Sequence, residues 1–192
     1  MSGSQIKLFQ TNKGPCPYRK NHTWYNLSFQ TSEIPADGYV SLLNQGFRRS
    51  GLSIYHPVCS GCKACIPIRI DVQNFSPGKG QRRTWRKNKD LRVEHHPVGF
   101  NQEDFDLYQR YQKDWHEIKS RVEEKEYFCF LIETPVQTKI LRYYLGTKLI
   151  GVGWLDCLPE LISSVYFIFD PEFESRRLGI FSLLYEIEYA RF

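Results

Sequence analysis

The chain has 192 residues, enough to bury a real core in one domain or two small ones. Its composition, 41% hydrophobic and 24% charged with a high 15% aromatic content, is that of a globular protein. No apolar run approaches the roughly 20 residues of a membrane span, and no secretory signal is read at its start, so no membrane partner and a cytoplasmic setting are expected. The net charge of +5 is unevenly placed: Lys79 to Arg92 holds seven basic side chains and one acidic one, Asp90. That pattern suits an anionic partner, nucleic acid first and a phosphate-bearing cofactor second.

Met1-Ser-Gly-Ser reads as a tag remnant or a mobile end. Residues 5–12 alternate weakly, as a short strand or an arm. Gly14-Pro15-Cys16-Pro17-Tyr18 is a rigid turn, since proline fixes φ and removes a donor. Trp24 to Thr31 alternates like a half-buried strand. A helix begins near Pro35-Ala-Asp37, carries Tyr39, Leu42, Leu43 and Phe47, and ends at Gly46. Ile66 to Val72 alternates and predicts a strand. Ser76-Pro-Gly-Lys-Gly80 turns into the basic segment, and Leu91 to His95 predicts another strand.

Asn101 to about Arg121 is the clearest helix, with Asn101 as N-cap, Glu103 and Asp104 in the first turn, and a core stripe of Phe105, Tyr108, Tyr111 and Trp115. Residues 139–145 and 149–156 read as two strands joined by a tight turn at Gly146-Thr-Lys148, and 161–169 as a third. After Asp170-Pro171 and a loop, 179–191 predicts a helix with Ile180, Leu183, Leu184, Ile187 and Ala190 inward. Three strands, a loop and a helix in that order suggest the central half of an N-acyltransferase (GNAT) fold.

Three constellations could carry chemistry. Cys59, Cys62 and Cys65 follow one another at three-residue steps, with Gly61 permitting a tight loop. Such spacing lets thiolates converge on zinc or an iron–sulfur cluster, and Cys16 is the natural fourth ligand. Redox-active thiols and plain packing are the other readings, while Cys129 and Cys157 read as small hydrophobes. Lys79, Arg82, Arg83 and Arg86 around Trp85 resemble a phosphate-tracking segment with a stacking platform; a solvated charged face is the bland reading. Ser175-Arg176-Arg-Leu-Gly179 before a helix can offer N–H groups and positive charge to an anion. It lacks the second glycine of the acetyl-CoA loop, because Ile180-Phe181 follow.

Taken in order, several motifs resemble the bacterial aspartate/glutamate leucyltransferases, relatives of the eukaryotic arginyl-tRNA–protein transferases. They are Cys16-Pro-Tyr18, Gly46-Phe-Arg-Arg-Ser-Gly51, Tyr55-x-Pro-x-Cys59-x-x-Cys62-x-x-Cys65-x-Pro-x-Arg69, and Arg82-Arg83-x-x-Arg86-x-Asn88-x-Asp90. Asp156-x-Leu158, Ser163-Ser-Val-Tyr166, Asp170-Pro171 and Ser175-Arg-x-Leu-Gly179 complete the string. The resemblance implies an α+β protein: a cysteine-bearing basic domain (1–98), then a GNAT-like aminoacyl-transfer domain (99–192). It implies movement of an amino acid, leucine favoured, from aminoacyl-tRNA to the α-amino group of proteins or peptides beginning with Asp or Glu, marking them for degradation. Family members run on through further strands, so truncation after Phe192 is expected.

Within that frame the acceptor's acid needs a cationic pocket, assigned to Arg48, Arg49 and Arg69 with Tyr55. The tRNA phosphates fall to Lys79, Arg82, Arg83, Arg86 and Arg176. Asp156 and Tyr166 are the candidates to orient or deprotonate the amine. No cofactor is required for transfer, and Cys16, Cys59, Cys62 and Cys65 are candidate ligands of a structural zinc or cluster. The alternatives are an acetyl-CoA-dependent N-acetyltransferase and a metal- or thiol-containing nucleic-acid-binding regulator.

Overall fold

A computed structural model describes residues 7–118 and 120–192; the reading of Met1–Ser4 lies outside the described residues. The chain divides into two compact units, 1–69 with 134–136, and 70–133 with 137–192.

The first unit is built on a four-stranded antiparallel sheet ordered β1 (Phe9–Gln10), β4 (Asn26–Gln30), β6 (Ser53–Pro57), β5 (Arg48–Ser50). A two-stranded ribbon pairs β2 (Gly14–Pro15) with β3 (Thr23–Trp24). Helix α1 (Ala36–Asn44) contributes Tyr39 and Leu43 to a core shared with Phe29 and Ile54. It stops at Gly46 as the sequence predicts: φ is +88° there, and a Cβ would come within 3.0 Å of His56.

Residues 66–72 do not form the expected strand. Their alternation leaves Ile66 and Ile68 77% and 81% exposed, and Pro67 has no N–H with which to join a ladder. The basic segment, expected to continue from a turn, is a helix instead: α2 (Lys79–Lys87), opened by a Gln81 side chain that accepts from the Gly78 N–H.

The second unit holds an antiparallel sheet ordered β10 (Ile162–Phe169), β9 (Lys148–Cys157), β8 (Thr138–Leu145), β7 (Leu91–Pro97). Strand β7 pairs with β8 along its length, and the compact units divide at 69/70. Helix α3 (Gln102–Asp114) starts as predicted, with Asn101 Oδ1 accepting from the Glu103 and Asp104 amides. It ends a few residues early, and Trp115 at its C-cap is exposed. Helix α4 (Glu124–Tyr127) runs into a π-helical turn, Phe128–Ile132, on which Cys129 is exposed rather than packed.

Both faces of this sheet are covered, so β9 reads as a continuous buried run from Leu149 to Asp156. On one face Ile140, Val152, Trp154 and Ile168 meet Phe105, Tyr108 and Tyr111 of α3 and Tyr127 of α4. On the other, Leu141, Tyr143 and Leu155 meet Phe181 of α5 (Leu178–Tyr189), with Trp85 of α2 against them. Helix α5 is rotated from the expected face. Leu178, Phe181, Ser182, Leu184, Glu186 and Ile187 are buried, while Ile180 and Leu183 are exposed.

Candidate functional site

In the second unit, two motifs far apart in sequence meet at the start of α5. The helix is preceded by a 3-10 turn, Pro171–Arg176, capped by Asp170, whose carboxylate accepts from the Glu172 amide. Asn88, fully buried just past α2, donates through Nδ2 to the Arg176 carbonyl at 2.9 Å and to the Thr84 carbonyl at 2.9 Å. Lys87 Nζ donates to the Ser175 carbonyl at 2.6 Å. Arg176 in turn forks onto Asp90, and its guanidinium holds the Asp90 carboxyl below the usual carboxylate range.

The loop so held delivers Arg177 in the left-handed region, φ 57°, and α5 begins with no side chain capping its first amides. A Cβ at Gly179 would meet nothing within 4 Å, so the first turn is open to an approaching group. Uncapped N–H groups and the helix dipole favour an anion there.

Two of the sequence candidates have partners in this setting. The Arg176 fork is taken up by Asp90. The Trp85 ring is half-buried and lies 5.3 Å from the Phe181 ring. The outward face of α2 keeps Lys79, Arg82, Arg83 and Arg86 exposed. A helix with Thr84 and Trp85 turned in and four cations turned out is a rigid basic ridge.

A bulge in β10 sorts the remaining chemistry between the sheet's two faces. Ser164 pairs with Leu155 and Tyr166 with Trp154, so Val165 is the extra residue. Val165 and Tyr166 therefore both turn toward α3, while Ser164 turns toward α5. Tyr166 packs against Phe130 and accepts a 3.3 Å hydrogen bond from Gln112 Nε2; burial pushes its phenol up. Asp156 is fully buried, with Thr138 Oγ1 donating to it at 2.8 Å. Of the pair expected to handle the proton, Asp156 is thus interior and Tyr166 partly buried.

On the α5 side lies a carboxyl that sequence reasoning missed. Glu186 is 5% exposed, and burial raises it to about 7 against the opposing hydrogen bond from Ser164. The signal was present: Leu178, Ser182 and Glu186 fall at four-residue steps on one helical face.

In the first unit, Arg48 and Tyr55 are cross-strand partners, both half-buried. Burial raises the Tyr55 phenol, Tyr18 and Cys65 add to it, and Arg48 opposes them. Arg49 points the other way and is 6% exposed. Arg69 is exposed on the extended segment.

All four candidate metal ligands are free thiols, Cys16, Cys59 and Cys62 half-buried and Cys65 exposed. Cys59 Sγ donates to the Tyr25 carbonyl and Cys62 Sγ accepts from Arg19. Among the described residues, no group of three or more Cys, His, Asp or Glu side chains is placed to hold a metal ion. Nor is any helix among them long and apolar enough to cross a membrane.

Comparison with known proteins gives a consistent answer over almost the whole chain. The family profile described as "Arginine-tRNA-protein transferase, N terminus" matches residues 14–83, and its "C terminus" counterpart matches 103–192. A Saccharophagus degradans protein named aspartate/glutamate leucyltransferase is 39% identical over 98% of this chain and 81% of its own length. Relatives of the same name from Hahella chejuensis and Polynucleobacter asymbioticus are 33% and 35% identical, each over 97% of this chain and 81% and 79% of their own length.

Proposed function

The chain belongs to the family of the arginine-tRNA-protein transferases and the aspartate/glutamate leucyltransferases, and from that premise we propose that it moves leucine from leucyl-tRNA to the α-amino group of proteins beginning with Asp or Glu. The observation that carries this reading is identity of 31–39% with relatives bearing one name, over at least 92% of the chain. The product exposes an N-terminal leucine and is thereby marked for degradation.

The chemistry asks little of the protein. The aminoacyl ester is already activated, and an α-amine with a pKa of about 7.7–8.0 is partly neutral at pH 7. Catalysis is then mostly positioning two substrates and stabilising the oxyanion. The α2 ridge takes tRNA phosphates, and the uncapped start of α5 takes negative charge near the acceptor end. In the first unit Arg48, with Tyr55 beside it, takes the acceptor's carboxylate, as a guanidinium suits.

A GNAT-like reading of the second unit is supported by its element order. Strand β7, helices α3 and α4, the antiparallel run β8–β9–β10 with a bulge in β10, and α5 follow one another as that fold requires. What disfavours acetyl-CoA is Phe181. The position where the usual loop has its second glycine holds a ring that is 4% exposed and packs on Tyr143.

The test is direct. Leucyl-tRNA, arginyl-tRNA and acetyl-CoA are each offered with an Asp-starting and an Ala-starting peptide, and the peptides are weighed. Gain of one leucine on the Asp peptide alone is the expected result; gain of arginine or acetyl instead overturns it.

A further inference from the structure

Glu186 has no counterpart in the mechanism so far, yet the fold goes to some trouble to hold it. It is buried on the α5 side of the sheet, where Leu141, Tyr143, Leu155 and Phe181 form the core with Phe167 against them. A Cβ at position 153 would lie 4.0 Å from its Oε1, so the carboxyl sits over Gly153 of β9. Near it on β8, the Tyr143 hydroxyl is buried and has no hydrogen-bond partner among the described residues. From β10, Ser164 donates its hydroxyl to the carboxyl, and the bulge at Val165 is what turns Ser164 to this face. Ser164 is itself exposed at the sheet edge. A carboxyl walled in by apolar groups is therefore linked to the surface by one hydroxyl. For stability alone, leucine would serve α5 better, because a buried carboxylate without a cation is costly.

Resting on the leucyl-transfer reading above, we propose that Glu186 is the proton-holding residue of the reaction, acting through the Ser164 hydroxyl. Ser164 Oγ takes one proton from the acceptor's α-ammonium as its own passes to a Glu186 carboxylate oxygen. The amine lone pair forms the C–N bond to the aminoacyl carbonyl carbon, and the C–O bond to the tRNA ribose breaks. A second amine proton leaves with the ribose oxygen. One proton per turnover stays on Glu186 and returns to solvent by the same hydroxyl. Glu186 is thus a positioning residue for the proton, and Ser164 is the group that touches substrate.

The ionisable neighbour is Tyr143 of β8, which burial, with Glu186 and Tyr185 adding, holds well above the ordinary phenol range, so it stays neutral through the pH range of the reaction. With Glu186 raised to about 7, its carboxylate form grows through neutrality. Stability runs the opposite way. An acid raised on folding contributes fully below its unfolded value, about 4.3, and loses that contribution as pH rises through 7.

The experiment measures kcat/KM from pH 6 to 9 with leucyl-tRNA and an Asp peptide for wild type, Glu186→Gln and Ser164→Ala, with urea unfolding of the first two across pH 5–8. Glu186→Gln should lose about 10²–10⁴-fold near pH 7 together with the rising limb near 7, leaving only the amine's own dependence. Its unfolding midpoint should stay flat where wild type falls. A rate within about threefold of wild type and an unchanged pH profile overturn the proposal. Should Glu186→Gln fail to fold, the exposed Ser164→Ala decides by the same two criteria. A wild-type protein that transfers no leucine overturns the underlying reading, and this is seen before any variant is made.

Discussion

Arg176 closes a two-bond fork on Asp90, NH1 to Oδ1 and NH2 to Oδ2, both at 2.9 Å across 86 residues of sequence. The fork fixes the loop that ends at Arg177 and so aims the first turn of α5. Asp90 is half exposed, so the pair is worth little in global stability, about 0.2–1 kcal/mol in a double-mutant cycle. Its value lies in position. Asp90→Asn and Arg176→Lys should each raise the KM for leucyl-tRNA several-fold while urea midpoints barely move. The Asp90 carboxyl is depressed on folding, so its small contribution is present above the unfolded value near 3.9 and fades as pH falls below that. Pulse measurements of loop proteolysis should show loosening at pH 3–4 and none at pH 6.

The basic ridge on α2 makes a salt-dependence prediction. Arg82 already donates to the Pro77 carbonyl, which leaves Arg83 and Arg86 as the stronger phosphate ligands. Each phosphate contact removed should reduce the slope of log affinity against log salt by about 1. Arg83→Ala with Arg86→Ala should therefore flatten the slope by about 2, and Arg82→Ala by less. A slope unchanged by the double substitution would remove tRNA from this ridge.

Arg48 and Arg49 are adjacent in sequence and turn to opposite faces of their strand. Because strand side chains alternate, Arg48 is half-buried beside Tyr55 and Arg49 is 6% exposed. Arg48→Ala should raise the KM for Asp-starting peptides about tenfold or more and leave leucyl-tRNA affinity unchanged. Arg49→Ala should instead cost about 1–3 kcal/mol of stability by disturbing buried polar contacts. Thermal denaturation beside peptide kinetics separates the two. Equal damage to folding from both would erase the distinction.

Sequence reading found most of the scaffold because strong local signals specify it. The Asn101 cap, the turn at Gly146 and the apolar runs of β8, β9 and β10 each carry their own physics. It misread features decided by partners that no local window contains. Ile66 to Val72 alternates like a strand but finds no neighbour to pair with, and Pro67 interrupts its donors. The 79–87 segment looks like a charge run, yet Thr84 and Trp85 at its centre anchor a helix on Phe181. The bulge at Val165 has no signal in the local sequence, yet it sets which face of the sheet Ser164 and Tyr166 turn to. The Asp90 partner of Arg176 lies 86 residues away, beyond any local window.

Buried charge in the second unit gives a stability prediction. Arg142 of β8 reaches Asp104 at the start of α3 with three contacts of 2.9–3.1 Å, and Asp104 has no exposure. Removing one member strands the other, at a cost of about 3–5 kcal/mol, while replacing both by apolar residues of similar size should recover most of it. Asp104→Asn alone should therefore drop the denaturation midpoint sharply. Asp104→Leu with Arg142→Met should restore much of it. A double variant as unstable as either single one would assign the cost to packing rather than to charge.

The thiols differ enough to be told apart by alkylation. Cys62 is held below the ordinary thiol range chiefly by the Ala64 backbone N–H, with Arg19 adding a guanidinium 3.7 Å from Sγ. Cys157 is pushed the other way by burial at the end of β9, and nearby Lys139 only partly offsets this. Since the thiolate is the nucleophile, iodoacetamide at pH 7 should label Cys62 well ahead of Cys157, as peptide mass analysis will show. Arg19→Ala removes the smaller influence and leaves the Ala64 amide, so it should slow Cys62 labelling by only about two- to threefold. Raising the salt should slow the wild type toward that rate, because the guanidinium acts at the surface. A rate for Cys62 that is indifferent to Arg19 and to salt would leave the backbone amide as the sole cause. Labelling of Cys157 at a comparable rate would mean that the end of β9 opens, and the burial described for it would then be wrong.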